Sequence, residues 1–336
     1  MNRRWLCSDV WMDILPSFNH AQLGLKMALL SPRFDALVNT HFDGKKELTL
    51  WNYIRIDKDK GPEPKLFVLI DGKMVDFPLP DRPLPNKIRF KHLNIRYIDH
   101  SVIEFVRSNK QIWDRMGTKL ELHISNVQPI WDVFVRENWP IFATNLRQLY
   151  FPGGDDLVNL RRRISLTILT DLDHLNSINS NYLLPDAIAD DGPNATAGQV
   201  LSKWLHTPRK DGQLKRLRCR DYSNPPNLEW INNFKETFLS ATTSVSYHIQ
   251  LYFLVITMPI EPFEFVNEGT NEKLTLWEES EHYWLLKRCS ITATIQWEND
   301  GNWDDNLNKV KFDLWRGINC IGPLSPPPAE EDKADE

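Results

Sequence analysis

Short apolar stripes separated by helix-breaking residues characterise the first part of the chain. Pro16 ends the first stripe, and Pro32 stands where its fixed φ favours the start of a new helix. Between the two prolines, one stripe at helical spacing comprises Leu23, Met27, Leu30 and continues to Phe34. The pattern predicts a three-helix module over residues 1–51. Its apolar face is wider than so short a segment can cover, so we expect another surface to complete it.

Proline dominates the next segment, residues 52–89. This composition leaves room only for a short hairpin, with strands Leu66–Ile70 and Met74–Phe77 around the turn Asp71-Gly72. We therefore predict a link between the helical module and the rest of the chain.

A strand–helix repeat begins near Phe90 and continues to residue 240, interrupted by an insertion over Asp186–Ala197. Its spacing lies near the roughly 20–29 residues of leucine-rich repeats. The predicted strands lie at Phe90–Ile98, Leu120–Ile124, Leu146–Phe151, Leu175–Ile178 and Leu214–Cys219, and the predicted helices at Ser101–Arg107, Trp131–Arg136, Val158–Leu169 and up to Leu239. An irregular leucine-rich-repeat-like body over 90–240 is one interpretation, and an ordinary α/β domain with parallel strands is the other.

Alternating strand patterns follow, with turn residues between them. They predict a β-rich cap over 241–320, with strands at Tyr247–Ile256, Phe263–Val266, Lys273–Trp277, Tyr283–Cys289, Ile291–Trp297 and Lys309–Trp315. Residues 321–336 combine proline with acidic residues and are predicted to be a disordered acidic tail. The fold class predicted is α+β or α/β, with a helical N-terminus, a strand–helix body and a C-terminal antiparallel hairpin-rich region.

Charge and cysteine content narrow the class of protein. The formal net charge is −5, and residues 329–336 carry five acidic residues against Lys333, so the remaining chain is almost neutral. The chain therefore has no net positive charge that would favour binding to nucleic acid or to an anionic membrane. The four cysteines show no CxxC spacing, and no apolar run reaches the roughly 20 residues of a membrane span. We expect buried thiols and a cytoplasmic or nuclear protein without a signal peptide.

Sequence motifs of catalysis are missing: the chain has no GxGxxG, P-loop, HExxH or GxSxG pattern. A cysteine–histidine pair that meets only in space stays open. We expect no enzyme activity, no cofactor and no metal site. The run Arg161-Arg162-Arg163 is interpreted as a solvated helix surface, with a phosphate contact as the alternative.

Alternation along the predicted body strands separates two faces. Leu93, Ile95, Leu120, Leu122, Leu149, Leu217 and Cys219 are predicted to point inward. The opposite face is the candidate substrate-binding surface, formed by Asn94, Arg96, Glu121, His123, Gln148, Tyr150, Arg216, Arg218 and Arg220. An ordinary solvated strand face is the alternative.

The N-terminal residues carry a recognisable motif. The stretch Leu6-Cys7-Ser8-Asp9-Val10-Trp11, then Ile14-Leu15, then Ala28 to Val38 with Arg33-Phe34, resembles the F-box. The whole chain is similar to the large F-box protein families of nematodes. Cys7 stands where the family has proline, and Asp9 stands where it has glutamate. The resemblance implies an adaptor-binding face of Leu6, Cys7, Asp9, Trp11, Leu15, Leu23, Met27 and Phe34.

The function that this resemblance implies is substrate recognition within an SCF-type cullin–RING ubiquitin ligase. The F-box would bind the SCF adaptor subunit, and through it a cullin, and the remaining chain would bind a protein substrate for ubiquitin-dependent degradation. One alternative is a non-ligase interaction scaffold, in which the N-terminal helices pack on the chain's own body. The other is a nucleic-acid-binding solenoid that uses Arg216, Arg218 and Arg220.

Overall fold

The computed structural model describes residues 7–43, 53–58, 61–70, 72–85, 88, 90–113, 118–123, 129–221, 229–253, 260–280 and 282–292. All of them belong to one compact unit, Met1–Ala293. The second unit, Thr294–Glu336, lies outside the described residues, as do the predicted strand Lys309–Trp315, most of Ile291–Trp297 and the predicted acidic tail.

Helices form the described N-terminal segment, and the last of them begins at Pro32, as predicted. Their bounds are α1 Ser8–Ile14, α2 His20–Gln22, α3 Ala28–Leu30 and α4 Pro32–Asp43, with a 3₁₀ turn at Leu15–Ser17 and a π-helical turn at Leu23–Met27. Asn19 starts α2 through a capping box: its side chain accepts from the Gln22 amide at 2.8 Å, and the Gln22 side chain accepts from the Asn19 amide at 3.3 Å.

Twelve strands form one sheet in the order β10-β11-β12-β9-β8-β7-β6-β5-β4-β1-β2-β3. Their bounds are β1 Ile54–Asp57, β2 Lys65–Ile70, β3 Lys73–Pro78, β4 His92–Ile95, β5 Thr118–Leu122, β6 Leu146–Phe151, β7 Ser177–Asn181, β8 Lys215–Asp221, β9 Tyr247–Phe253, β10 Phe263–Asn267, β11 Glu272–Ser280 and β12 Tyr283–Ser290. The pairs from β1 and β4 through β9 are parallel, and the pairs at both ends of the sheet are antiparallel.

Strands β4–β9 are parallel and lie beside each other in chain order. Because the crossovers between such strands are right-handed, their helices all lie on one face of the sheet. These helices are α5 His100–Ser108, α6 Lys110–Trp113, α7 Ile130–Glu137, α8 Trp139–Ala143, α9 Gly154–Arg163, α10 Ile168–Asp171, α11 Ala197–His206 and α12 Glu229–Leu239. The sheet residues beneath them form an in-register apolar row, no member more than 1% exposed: Leu93, Leu120, Leu149, Ile178, Leu217 and Ile249. The predicted inward positions are therefore core positions.

The predicted division into link, body and cap is wrong for the described residues. The link contains the predicted hairpin, β2–β3, and also β1, which pairs in parallel with β4 and so belongs to the main sheet. The cap strand β9 pairs in parallel with β8, which makes it a direct continuation of the body. Beyond β9, strands β12, β11 and β10 follow in antiparallel order, in agreement with the predicted hairpin-rich region.

Two further expectations need correction around the Asp186–Ala197 insertion. The predicted helix Val158–Leu169 is two helices, α9 and α10. Arg161, expected to be solvated, is 5% exposed because its guanidinium donates to four backbone carbonyls: Leu166, Asp191, Gly192 and Ala195, at 2.7–3.0 Å. The arginine therefore fixes the insertion to the body.

Candidate functional site

The sheet face opposite the helices carries polar side chains in register, and we call it the polar face. Its central row contains Asn94, Glu121, Tyr150, Asn179, Arg218 and Gln250, one residue from each strand of β4–β9. A second row contains Lys119, Gln148, Ser177, Arg216, His248 and Lys287. A third contains Asn181, Arg220, Tyr252 and Tyr283. The structure thus brings the predicted substrate-binding residues onto one face, with Arg96 and His123 directly after β4 and β5.

Hydrogen bonds within the protein occupy the β4–β5 end of the polar face. Glu121 accepts from two histidines, with His92 Nε2 at 3.1 Å and His123 Nε2 at 3.0 Å. Asn94 Nδ2 donates to the Tyr53 hydroxyl at 2.9 Å. Asn94 and Glu121 are 0% and 1% exposed, so the prediction that they meet a substrate directly is wrong. The two histidines offset the cost of burying the Glu121 carboxylate, whereas Asn94 Oδ1 is buried without a hydrogen-bond partner among the described residues.

Arg218 is also inside a hydrogen-bonded chain. Its Nε donates to Gln250 Oε1 at 2.6 Å, and Gln250 Nε2 donates to Glu279 Oε2 at 2.9 Å. The residue is 6% exposed, which corrects its predicted exposure. Arg218 therefore holds β8 and β9 together rather than offering its charge freely.

On β8, β9 and β12 the second row contains three basic residues on neighbouring strands, Arg216, His248 and Lys287. Burial, and then the positive charges of Lys287 and Arg216, lower the pKa of His248 to about 4. His248 Nε2 is buried and has no hydrogen-bond partner among the described residues. Arg216 and Lys287 thus bring two positive charges to this row, on either side of a histidine whose lowered pKa keeps it neutral at pH 7.

Aromatic residues belong to the third row, which lies on the other side of the central row from the second row. The rings of Tyr252 and Tyr283 lie 5.0 Å apart, and the ring of His282 lies 6.1 Å from Tyr252. Burial and the nearby Tyr283 raise the pKa of Tyr252, against the opposing effect of Arg220. Tyrosine and arginine side chains together are typical of the residues that dominate protein–protein binding energy.

The predicted adaptor-binding residues divide into three groups. Leu6 lies outside the described residues. Leu15 and Leu23 are both 0% exposed in the protein's own core, so the prediction that they contact a partner is wrong. Cys7 and Asp9 are exposed, which also corrects the expectation of a buried thiol at Cys7, whereas Cys219 and Cys289 are buried as expected.

The remaining predicted residues of this set, Trp11, Met27 and Phe34, are partly exposed. The rings of Trp11 and Phe34 meet edge to face at 4.8 Å. Leu30, which belongs to the same stripe as Met27 and Phe34, is 64% exposed. The described helices thus present apolar side chains that their own core leaves in part uncovered, as their spacing predicted.

Sequence reasoning missed the contribution of β9 and β12 to the polar face, namely His248, Gln250, Tyr252, Tyr283 and Lys287. Alternation along the sequence predicted a strand over Tyr247–Ile256, and the side chains of Tyr247–Phe253 alternate between buried and half-buried in the structure. The sequence did not predict which strand it pairs with, because the parallel pairing of β9 with β8 joins segments of different composition.

Among the described residues, no helix is long and apolar enough to cross a membrane. No group of three histidine, cysteine or carboxylate side chains in the described part of the chain could hold a metal ion. Comparisons with protein-family models, curated proteins and solved structures found no match to this chain.

Proposed function

We propose that this protein is the substrate-recognition subunit of an SCF-type cullin–RING ubiquitin ligase, with no catalytic role of its own. Its N-terminal helices would bind the SCF adaptor subunit, which joins it to a cullin, and its polar face would bind a protein substrate. This role belongs to the cytoplasm or the nucleus.

The observation that carries the proposal is the apolar surface of the N-terminal helices. Leu30 is 64% exposed and Val10 is 38% exposed, beside the half-buried Trp11, Met27 and Phe34. Burying one leucine in a partner contributes about 1.5–3 kcal/mol, so such a cluster favours binding of an apolar groove. These residues lie within the segment whose sequence resembles the F-box.

The polar face supports the second half of the proposal. It offers arginine, lysine and tyrosine side chains on a rigid sheet, and a sheet positions contact residues more accurately than a loop does. A scaffold that binds no adaptor would use the same polar face but would not need the apolar helical surface.

Capture of the SCF adaptor by the full chain tests the proposal. Leu30→Asp should abolish capture, because the carboxylate would have to be desolvated in an apolar groove. Ile188→Asp is the matched control, since Ile188 is 65% exposed in the insertion of the body. Loss of capture by Leu30→Asp alone, with an unchanged circular dichroism spectrum, supports the proposal.

Two results would overturn it. The first is failure of the unmodified chain to bind any SCF adaptor, which would favour the scaffold alternative. The second is equal capture by Leu30→Asp and Ile188→Asp, which would separate adaptor binding from the helical surface.

A further inference from the structure

A lysine occupies a core position at the start of β8. Lys215 lies on the same side of the strand as Leu217 and Cys219, and it is only 5% exposed. Its Nζ atom donates to the backbone carbonyls of Trp204 and Thr207, at the end of α11, and lies 5.1 Å from the centre of the Trp204 ring. Lysine is almost never buried to this extent unless it is paired.

The surroundings of Lys215 oppose its charge. Burial, and then the positive charge of Arg209, lower the pKa of Lys215 to about 7. His206, the last residue of α11, stays neutral at pH 7, since burial and then the charge of Arg288 lower its pKa to about 4. An anion close to Lys215 would therefore favour the charged amine.

The carboxylates in this part of the fold have other partners. Asp211 accepts from Arg209, and Glu272 accepts from Arg288. Lys215 forms no ion pair with a carboxylate among the described residues. When the amine is charged, two of its three hydrogens bind the carbonyls at the end of α11, and the third has no acceptor in the described part of the chain.

A cavity of about 180 Å³ adjoins this lysine, between the end of α11 and the starts of β8 and β9. Lys215 and Gln213 give the cavity a polar wall, and Leu205, Pro208 and Val245 give it an apolar one. None of the described residues that line it is aspartate or glutamate. Since a cavity of about 150 Å³ holds benzene, this one suits a ligand of about six non-hydrogen atoms.

We propose that this cavity, which we call the Lys215 cavity, binds a short aliphatic carboxylate. The carboxylate would accept the third hydrogen of the Lys215 ammonium in a charge-assisted hydrogen bond and supply the counter-ion that the described residues lack. The aliphatic chain would lie against Leu205, Pro208 and Val245, where its burial is favourable. This ligand is separate from the adaptor and the substrate of the proposed function, because the Lys215 side chain lies on the helix side of the sheet, opposite the polar face.

Isothermal titration calorimetry of the full chain with butyrate tests the inference. Butyramide is the neutral ligand control with nearly the same shape, and inorganic phosphate is an anion without an apolar chain. We expect both to bind at least tenfold more weakly than butyrate, which equals ~1.4 kcal/mol. Lys215→Met should weaken butyrate binding at least tenfold as well, because methionine fills the space but carries no charge.

Lys210→Met is the matched control, because Lys210 lies in the same loop with a side chain that is 81% exposed and paired with Asp173. Gln213→Glu provides a second variant that leaves the core intact, since Gln213 is exposed at the cavity wall. Its carboxylate should compete with butyrate for Lys215 and weaken binding. A readout on the unmodified chain is the nuclear magnetic resonance titration of the Lys215 ε-carbon, whose pKa should rise when butyrate binds.

Equal affinities for butyrate and butyramide, or no binding of butyrate to the unmodified chain, would overturn the inference. Butyrate binding that is unchanged in Lys215→Met or in Gln213→Glu would do the same. Tighter binding of a pentapeptide with a C-terminal valine carboxylate would assign the cavity to a protein terminus instead of a free carboxylate and would also overturn it. Lys215→Met and Gln213→Glu should both leave adaptor capture unchanged, so failure of this inference is distinguishable from failure of the proposed function.

Discussion

A fully buried ion pair joins the start of β11 to β12. Arg288 and Glu272 are 1% and 0% exposed, and Arg288 Nη2 lies 2.6 Å from Glu272 Oε2. The carboxylate also accepts from Ser244 Oγ and the Val245 amide, each at 2.8 Å, and the guanidinium donates to the Thr243 carbonyl. Removing one partner of such a pair leaves a buried charge uncompensated.

Arg288→Met should therefore lower the free energy of unfolding by about 3–5 kcal/mol. Urea denaturation measures this change. Arg107→Gln, which breaks an ion pair with exposed side chains at Glu104, is the control and should cost no more than about 1 kcal/mol. Equal effects of the two variants would mean that the Glu272–Arg288 pair is not buried in solution.

His206 makes folding depend on pH. Burial, and then the charge of Arg288, lower its pKa from 6.5 to about 4, and its ring packs against those of Phe234 and Tyr247. The unfolded chain therefore binds a proton between pH 6.5 and 4 that the folded chain does not. Stability from this group is complete above pH 6.5 and is lost as the pH falls towards 4.

We expect His206 to account for roughly 2 kcal/mol of the stability lost between pH 7 and pH 5. Urea denaturation at the two values should show a smaller loss for His206→Gln, whereas His100→Gln, at an exposed position, should retain the full loss. His248 adds a similar contribution in both variants, because burial also lowers its pKa to about 4. An unchanged pH dependence in His206→Gln would contradict the burial of this imidazole.

Which individual side chains would be buried was the least predictable feature. Arg161 follows a helical pattern that also fits a solvated surface, and its acceptors Asp191, Gly192 and Ala195 are about thirty residues away along the chain. Asn94 likewise depends on Tyr53, which lies before the hairpin. Such contacts depend on which distant segments of the chain pack together, and local hydrophobic periodicity does not predict that packing.

Among the elements, α9 is joined to the Asp186–Ala197 insertion by one arginine, Arg161. Arg161→Lys removes the planar fork that reaches several carbonyls at once. We expect a loss of about 1.5–3 kcal/mol in unfolding free energy and faster amide hydrogen exchange over residues 190–195.

Arg162→Lys is the matched control for this variant, since Arg162 is the exposed next residue of the same helix. Its effect should stay within about 0.5 kcal/mol. Unchanged hydrogen exchange in Arg161→Lys would show that the insertion is held by other contacts.

Elements with a clear hydrophobic period were predictable from the sequence. Short strands, and the pairing of strands across segments of different composition, were not. The alternation around Leu120 and Leu149 identified β5 and β6, and the stripe through Val102 and Val106 matches α5. Strand β1, with only four residues, carries too little pattern and acquires its place from pairing with β2 and β4. The polar face was predictable on β4, β5, β6 and β8 for the same reason, and its continuation on β9 and β12 was not.

One sheet joins the segments that composition separates into link, body and cap. Because β1 and β9 both pair in parallel with body strands, the boundaries near residues 89 and 240 are not structural boundaries. Proline content predicts where backbone donors are missing, but it does not predict which segments share a core. The N-terminal helices belong to the same compact unit and contribute Leu15, Leu23 and Phe42 to its core.

Hydrogen-exchange mass spectrometry of the full chain, free and with the SCF adaptor, tests most directly whether the N-terminal helices bind the adaptor and leave the polar face free for a substrate. We expect the adaptor to slow exchange over residues 8–43 and to leave β8, β9 and β12 unchanged. An adaptor that leaves residues 8–43 unprotected, or that protects β8 and β9 instead, would contradict the proposed division between an adaptor-binding helical surface and a substrate-binding polar face.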